Sequence, residues 1–320
     1  MTWKGKRVLI TGGAGFVGSH LAEGLMGQQA QVTVVDNLVT GKRRNLDRCW
    51  DAIRFEEINI LDSRFAQLLV EEKYEVIFHL AANSYVPTSV KEPSFDYDTN
   101  LLGTFQLLET MRRQALPSVV INISSAAVYG DLAKVPLEED APCFPVSPYG
   151  VSKLAGERYL AVYAQLYGLR GASARFFSLY GPRQMKQVVY DFIRKLHENP
   201  HEMTMYGDGS QVRDLNYVEN GVDALLTIAE KAPLRGEVYN VAADQSLSIL
   251  GLAQLIARLM GISPAFKYTG SVRPGDPQKW IAGIARLRSL GYVPRIGLEE
   301  GMRKTIDWFR ADQINAKTEG

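Results

Sequence analysis

Short apolar runs alternate with segments whose apolar residues recur every three or four positions through the first half of the chain. Val8-Leu9-Ile10, Val32-Thr33-Val34-Val35, Val76-Ile77-Phe78-His79-Leu80-Ala81-Ala82 and Val119-Val120-Ile121-Asn122-Ile123 are continuous runs of the kind that fill buried parallel strands. Residues 53–60 and 171–177 add two further strand candidates. Helical spacing marks the segment through Leu21, Ala22 and Leu25, residues 65–72, and residues 94–114, where Leu101, Leu102, Phe105, Leu108 and Met111 share a face. Another helix runs from 149 to 167 and ends at Gly168. Such regular alternation predicts an α/β fold built on a doubly wound parallel sheet.

Beyond residue 177 the pattern is less regular. A loop at 178–184 is followed by helices at 188–198, 219–231, 249–260 and 298–309, with a strand at 203–206. Val238-Tyr239-Asn240-Val241 reads as a strand that rejoins the main sheet. The expected organisation is one domain of residues 1–172 plus about 213–244. A smaller interleaved α/β lobe takes 173–212 plus 245–320.

The first strand leads into Thr11-Gly12-Gly13-Ala14-Gly15-Phe16-Val17-Gly18, and a helix follows at once. Gly13, Gly15 and Gly18 satisfy G-x-G-x-x-G, and Gly12, Gly15 and Gly18 its shifted form. Strand, glycine turn and helix opening are the context a dinucleotide fingerprint requires. Glycines let the backbone approach a pyrophosphate, which then faces free N–H groups at the helix start. The second strand ends in Asp36, where a carboxylate accepts hydroxyls of the adenosine ribose and repels a 2′-phosphate. The sheet is therefore expected to be of Rossmann type, with NAD favoured over NADP. Lys42, Arg43 and Arg44 downstream are the residues that would suit NADP.

Composition adds mainly exclusions. A chain of 320 residues, 46% hydrophobic and 22% charged, can form a sizeable core. A net charge of +1 gives no reason to expect nucleic acid or an anionic membrane as partner. Cys49 and Cys143 make neither a disulfide framework nor a zinc pattern, which suits a reducing compartment. The four histidines show no metal spacing, so no metal is expected. Met1 runs almost directly into the first strand, and no apolar run approaches the ~20 residues of a membrane span. A soluble, cytoplasmic protein is expected.

Candidate chemistry follows the strand at 118–124, which runs into Ser124-Ser125-Ala126-Ala127-Val128-Tyr129-Gly130. Ligands of open α/β sheets bind beyond the carboxyl ends of strands. Some twenty residues on, Tyr149 and Lys153 lie four apart at a helix start, hence on one face. A phenol ordinarily titrates near ~10, and a neighbouring cation lowers it by ~1–3 units. Lys153 is thus expected to poise Tyr149 as a general base, with Ser125 sharing the substrate hydroxyl.

These segments resemble the extended short-chain dehydrogenase/reductases of the nucleotide-sugar epimerase/dehydratase family, the UDP-glucose 4-epimerases among them. The likeness runs from Val8 to about Arg310 through TGGAGFVGSHL, VVDNLVTGKRRNL, HLAA, SSAAVYG, SPYGVSK, RFFSLYGPRQ, VRDLNYVENGVDALL, YNVA and RPGD. The resemblance implies that Gly12, Gly15, Phe16, Val17 and Gly18 hold the pyrophosphate of NAD. Asp36 and Asn37 hold the adenosine ribose, and Asn59 and Ile60 lie near the adenine. Asn59 replaces the Asp usual in the family, which still leaves an oxygen for the adenine amine. Leu80, Ala81, Ala82, Asn100, Ser124 and Phe176 line the cofactor. Tyr149 is the base, Lys153 orients the nicotinamide ribose, and Ser125 assists. Ser84, Ser125, Phe177 and Ser178 face the substrate, although many sugar epimerases carry Asn where Ser178 stands. Arg213 and Arg273 hold the nucleotide diphosphate, a role suited to bidentate arginines, and Asp276 is a further substrate contact.

The substrate that the resemblance implies is a nucleotide-diphosphate sugar, UDP-linked. The implied reaction removes hydride from C4 and returns it to the opposite face, so that C4 is epimerised. The family's 4,6-dehydratases carry an Asp-Glu pair directly after the Ser/Thr, and its decarboxylating members keep a Glu there. Here those positions are Ala126 and Ala127, which cannot transfer protons. A dehydratase or other 4-keto-forming enzyme would need another donor, such as Cys143, and a non-catalytic NAD-binding regulator is the remote alternative. Trp280 stands where some 4-epimerases gate sugar size. The resemblance also implies a homodimer through the helices at 94–114 and 149–167.

Overall fold

The computed structural model describes residues 2–132, 134–271 and 278–318. Strands β1 (Arg7–Thr11), β2 (Gln31–Asp36), β3 (Arg54–Glu57), β4 (Val76–His79), β5 (Val119–Ser125) and β6 (Arg170–Phe176) build most of the large sheet. Short strands β7 (Ser178–Tyr180), β8 (Glu202–Met205) and β9 (Val212–Tyr217) follow. Next come β10 (Arg235–Val241), β11 (Ser246–Ser248), β12 (Ala265–Tyr268) and β13 (Lys279–Trp280). Seven strands pair in parallel in the order β10-β6-β5-β4-β1-β2-β3. The order reverses direction between β1 and β4, and the C-terminal ends of those two strands form the crevice where ligands of such sheets bind.

Helices α1 (Phe16–Gly27), α2 (Ser63–Glu72), α3 (Val86–Lys91), α4 (Pro93–Asp96), α5 (Gly103–Arg113) and α6 (Pro148–Tyr167) belong to the large sheet. They are joined by α7 (Gln187–Glu198), α8 (Val218–Lys231), α9 (Ile249–Met260), α10 (Ala285–Ser289) and α11 (Leu298–Thr318). One apolar core, from Val8, Ile10, Val34 and Phe78 to Leu225 and Val241, packs α1 and α8 onto one face of the sheet. On the other face Leu9, Ile77 and Val120 meet Leu107, Leu108 and Leu160 of α5 and α6. Both faces are covered, which is why the strands read as unbroken apolar runs.

A separate core beneath α7, α9 and α11, with Phe192, Leu215, Ile256 and Phe309, supports the smaller lobe. There β9 pairs with β7, β11 and β13, and β8 with β12. The boundary expected at residue 172 falls inside β6. The return expected at 213 falls inside β9, a strand of the small sheet.

The helix expected over 94–114 is interrupted. It consists of α4, a π-helical turn Tyr97–Leu102, and α5. Such wide turns concentrate at functional sites, and this one carries Asn100. The strand expected over 76–82 stops at His79, and Leu80 to Ala82 continue beyond it partly exposed. The loop expected at 178–184 contains β7.

Candidate active site

The glycine turn leaves β1 through Gly12, which adopts φ +69°, the left-handed region. A Cβ on Gly12 would lie 2.7 Å from the Ala81 backbone nitrogen, and one on Gly18 2.4 Å from the Gly12 carbonyl oxygen. Only glycine lets β1, the end of β4 and α1 come this close. Gly15 is the N-cap of α1 and brings no side chain to cover the first-turn N–H groups. An open, uncapped helix start is an anion site.

Asp36, at the end of β2, is buried and accepts hydrogen bonds from the Ala14 N–H at 2.9 Å and the Leu38 N–H at 2.8 Å. Burial pushes its carboxyl above the ordinary carboxylate range, with the two amides acting against the shift. The carboxylate therefore stands at the rim of the glycine turn. The three cations that would suit NADP have other partners. Lys42 donates to the Met185 sulfur at 3.0 Å, Arg44 pairs with Asp312 at 3.4 Å, and Arg43 pairs with Glu57 and lies over Trp50. Asn37 and Asn59 are exposed, each accepting from a backbone N–H two residues on. Ile60 is buried against Gly103.

Helix α6 starts in register because Ser147 caps it, accepting from the Gly150 N–H, and Pro148 occupies its first position. Tyr149, Lys153, Gly156, Leu160 and Tyr163 then form the buried stripe. The Lys153 ammonium donates to the Ile123 carbonyl of β5 at 2.9 Å and lies 6.0 Å from the centre of the Tyr149 ring. Burial pushes Lys153 down to about 8, opposed by the negative charges of Asp96 and Glu157.

The Tyr149 phenol is pushed up by burial, lowered by a hydrogen bond with Ser125 and raised by Asp96. This corrects the expected effect of Lys153. Desolvation is the largest effect on the phenol and raises it, while the ammonium is committed to a backbone carbonyl. Ser125 caps the turn Ala126–Val128 by accepting from the Ala127 N–H at 3.2 Å. Ala126 and Ala127 are both buried. The neighbouring Ser124 hydroxyl is buried with no hydrogen-bond partner among the described residues.

Other expected residues are more dispersed. Leu80, Ala81 and Ala82 are partly exposed on the crevice side of β4, and Ser84 is exposed beyond them. Phe176 and Phe177 are core residues, the latter packing on Tyr129 with ring centres 6.2 Å apart. Ser178 begins β7 and is partly exposed. Arg213 is buried, donates to the Val212 carbonyl at 2.9 Å and lies 5.5 Å from the Trp280 ring centre. Trp280 packs against the cluster of Ala126, Val128 and Tyr129 that follows Ser125, so β13 and the end of β5 meet. Arg273 and Asp276 lie outside the described residues. Cys143 is half-buried, and burial raises its thiol above the ordinary range.

Two buried polar clusters were not foreseen. In the first, Asp96 accepts from Asn83 Nδ2 (2.9 Å), Asn100 Nδ2 (3.0 Å) and Ser152 Oγ (2.7 Å). Asn100 Oδ1 also accepts from the Asn83 N–H, which ties the loop after β4 to the π turn. In the second, Arg175 on β6 makes a bidentate bond to Glu157 and donates to the Tyr129 hydroxyl at 2.8 Å. Tyr129 in turn donates to Asn240 on β10. Glu157 stands four residues after Lys153, a spacing that could have flagged it; Asp96 and Arg175 carry no local signal.

A cradle that a Cβ would fill, an uncapped helix start, a carboxylate at the end of β2 and an unpaired serine hydroxyl at the end of β5 fit a dinucleotide laid across the crevice. With Ser125, Tyr149 and Lys153 at its far end, the fold and site define an extended short-chain dehydrogenase/reductase. A family model described as the NAD dependent epimerase/dehydratase family matches residues 8–242, and the chain belongs to that family. NAD, the cofactor of the family, agrees with Asp36 and with the engaged cations.

The chain is 36% identical over 311 residues to the UDP-glucose 4-epimerase of Mycolicibacterium smegmatis, covering 95% of this chain and 98% of that one. It is 32% identical over 326 residues to the dTDP-D-glucose 4,6-dehydratase of Bos taurus, covering 98% and 91%. Among solved structures it superposes on the UDP-N-acetylglucosamine 4-epimerase of Methanobrevibacter ruminantium M1, in complex with UDP-N-acetylmuramic acid. The TM-score is 0.90 at 33% identity, covering 97% of this chain and 99% of that one.

Proposed function

We propose that the chain is a NAD-dependent 4-epimerase of a nucleotide-diphosphate sugar, a UDP-linked hexose, hexosamine or hexuronate. The observation that carries this reading over a dehydratase is the pair of buried alanines, Ala126 and Ala127, directly after Ser125. A dehydratase must remove a C5 proton and protonate a leaving C6 hydroxyl, and neither methyl group can do so. Burial holds the Cys143 thiol protonated, which leaves it a proton to donate to the hydroxyl and no means of taking the C5 proton. UDP-glucose and UDP-N-acetylglucosamine epimerases among the relatives support the nucleotide and leave the sugar open.

NAD supplies a reversible two-electron acceptor at the sugar carbinol. Tyr149 takes the C4 hydroxyl proton and later returns it, and Ser125 holds the same hydroxyl in line. Lys153, anchored on β5, presents a positive charge to the ribose and to the developing phenolate. Arg213, backed by Trp280, neutralises a phosphate, with Arg273 and Asp276 assigned to the same end of the substrate.

Helix α6 also leaves Val151, Tyr159, Val162 and Leu166 exposed along one stripe opposite its buried face. Covering that stripe with the same face of a second copy gives the homodimer. Incubating the protein and NAD with a panel of UDP- and dTDP-linked sugars, followed by NMR, tests the reaction. Interconversion of C4 epimers without added reductant supports it; release of water and a 4-keto-6-deoxy sugar overturns it.

A further inference from the structure

Asp96 is buried, and the three side chains that donate to it are all neutral. It sits at the end of α4, immediately before the π turn, and reaches α6 through Ser152, the neighbour of Lys153. A carboxylate taken out of water is costly unless its charge is used. The cluster gives it a fixed place. Asn83 and Asn100 share Oδ1 and Ser152 holds Oδ2, while Ser152 Oγ also lies 3.0 Å from the Tyr149 carbonyl oxygen.

Other charged and titratable groups face the region from each packed element. Tyr149, Lys153 and Glu157 come from α6, and His79 from β4, bonded to Thr104 of α5. Of these only Lys153 is an ammonium, and its own hydrogen bond goes to a neutral carbonyl, not to a counter-ion.

We propose that Asp96 is a positioning residue for catalysis: the buried counter-charge, fixed by Asn83, Asn100 and Ser152, that keeps Lys153 an ammonium behind Tyr149. The proposal rests on the assignment of Tyr149 and Lys153 as the reacting pair, and deepens it. Both groups respond to the Asp96 charge in the same direction. A negative charge favours the ammonium and disfavours the phenolate, so each holds its proton to higher pH. Asp96 thus trades some phenolate for a dependable ammonium.

The substitution Asp96→Asn removes the charge and keeps the shape. Its Oδ1 accepts from Asn83 and Asn100 as before, and its Nδ2 donates to Ser152 Oγ. The Ser152 hydroxyl is then free to turn to the Tyr149 carbonyl. Lysines labelled with carbon-13 at Cε allow direct titration by NMR, the Lys153 signal being the one missing from Lys153→Gln. The expected result in Asp96→Asn is a Lys153 midpoint about one pH unit lower than in the parent protein. Both limbs of the kcat profile, measured on whichever sugar the panel identifies, move to lower pH together.

An unchanged Lys153 midpoint, or a kcat lowered equally at every pH, overturns the proposal and leaves Asp96 a packing residue. If Asp96→Asn does not fold, Asp96→Ser, small enough to admit a water, carries the same comparison. A shifted midpoint in a protein that turns over no nucleotide sugar upholds the counter-charge and sinks the epimerase reading instead.

Discussion

The Lys153 ammonium is bonded to the Ile123 carbonyl at 2.9 Å, two residues before Ser125 on the same strand. The lysine of α6 is therefore indexed to β5 by the backbone of the strand that carries Ser125. Rotating or sliding α6 would break that bond before it altered anything on the substrate side.

Replacing Tyr149 by Phe removes the proposed base and keeps the packing. General-base contributions of about 10²–10⁴ set the expected fall in kcat. NAD affinity, followed by quenching of intrinsic fluorescence, should change less than threefold, about 0.65 kcal/mol. A Tyr149→Phe protein that still epimerises at the parent rate removes the phenol from the mechanism.

Gly12 is the position where the fold and the cofactor make the same demand. Alanine there meets both a left-handed backbone and the Ala81 nitrogen, 2.7 Å from its Cβ. The backbone penalty alone is about 1–3 kcal/mol. Gly12→Ala should lower the urea midpoint and weaken NAD binding more than tenfold. Gly27→Ala, where a Cβ meets nothing within 4 Å, should do neither. Isothermal titration and urea unfolding of the two variants decide it.

The sheet, the glycine turn and the pairing of Tyr149 with Lys153 on one helix face were legible because they obey local rules. Parallel strands buried on both faces write themselves as apolar runs, and Tyr149 and Lys153 meet at i, i+4 whatever the rest of the chain does. The break at Tyr97–Leu102 was not legible, since the apolar positions 101, 102, 105, 108 and 111 fit an uninterrupted helix equally well. What opens the turn is non-local: Asn100 turns inward to Asn83, which follows β4 in sequence. β9 and β13 were missed for a similar reason. The strands β7, β11 and β13 that pair with β9 have only two or three residues each, too few to make a period. Arg175 looked like a polar residue in a strand because its partner Glu157 lies 18 positions away.

Acid should unfold the protein in a way traceable to His79. Its ring is fully buried between Thr11 (Nδ1, 2.9 Å) and Thr104 (Nε2, 3.1 Å), and desolvation, aided by the charge of Lys153, pushes it down to about 3. The ordinary value is 6.5, so the unfolded chain takes up the proton first. Stability is therefore fully present above that value and is lost as pH falls from 6.5 towards 3, by about 1.4 kcal/mol per pH unit. His79→Gln can keep both hydrogen bonds and has no proton to gain. Its stability, measured by urea unfolding between pH 6 and pH 4, should fall less steeply than the parent's by that slope. Equal slopes would mean that the folded state admits the proton.

Arg175 and Glu157 form the most deeply buried ion pair among the described residues, with side chains 2% and 1% exposed. The opposite charge of Glu157 and the hydrogen bonds it accepts from Arg175 hold the arginine charged against its desolvation. Such a pair contributes little net stability, but losing one partner strands the other in a dry site, at a cost of about 3–5 kcal/mol. Arg175→Met should lose that much, and the Tyr129 hydroxyl and the Glu139 carbonyl lose a donor with it. Glu157→Leu should cost a similar amount. The double variant should recover roughly half or more of the summed loss, because neither charge is then left alone. The readout is a double-mutant cycle by urea unfolding, with kcat measured alongside. Since Glu157 lies one turn beyond Lys153 and Tyr129 four residues beyond Ser125, the double variant should regain stability without regaining full kcat. Additive losses in the cycle would instead show that each residue is held by its own separate contacts.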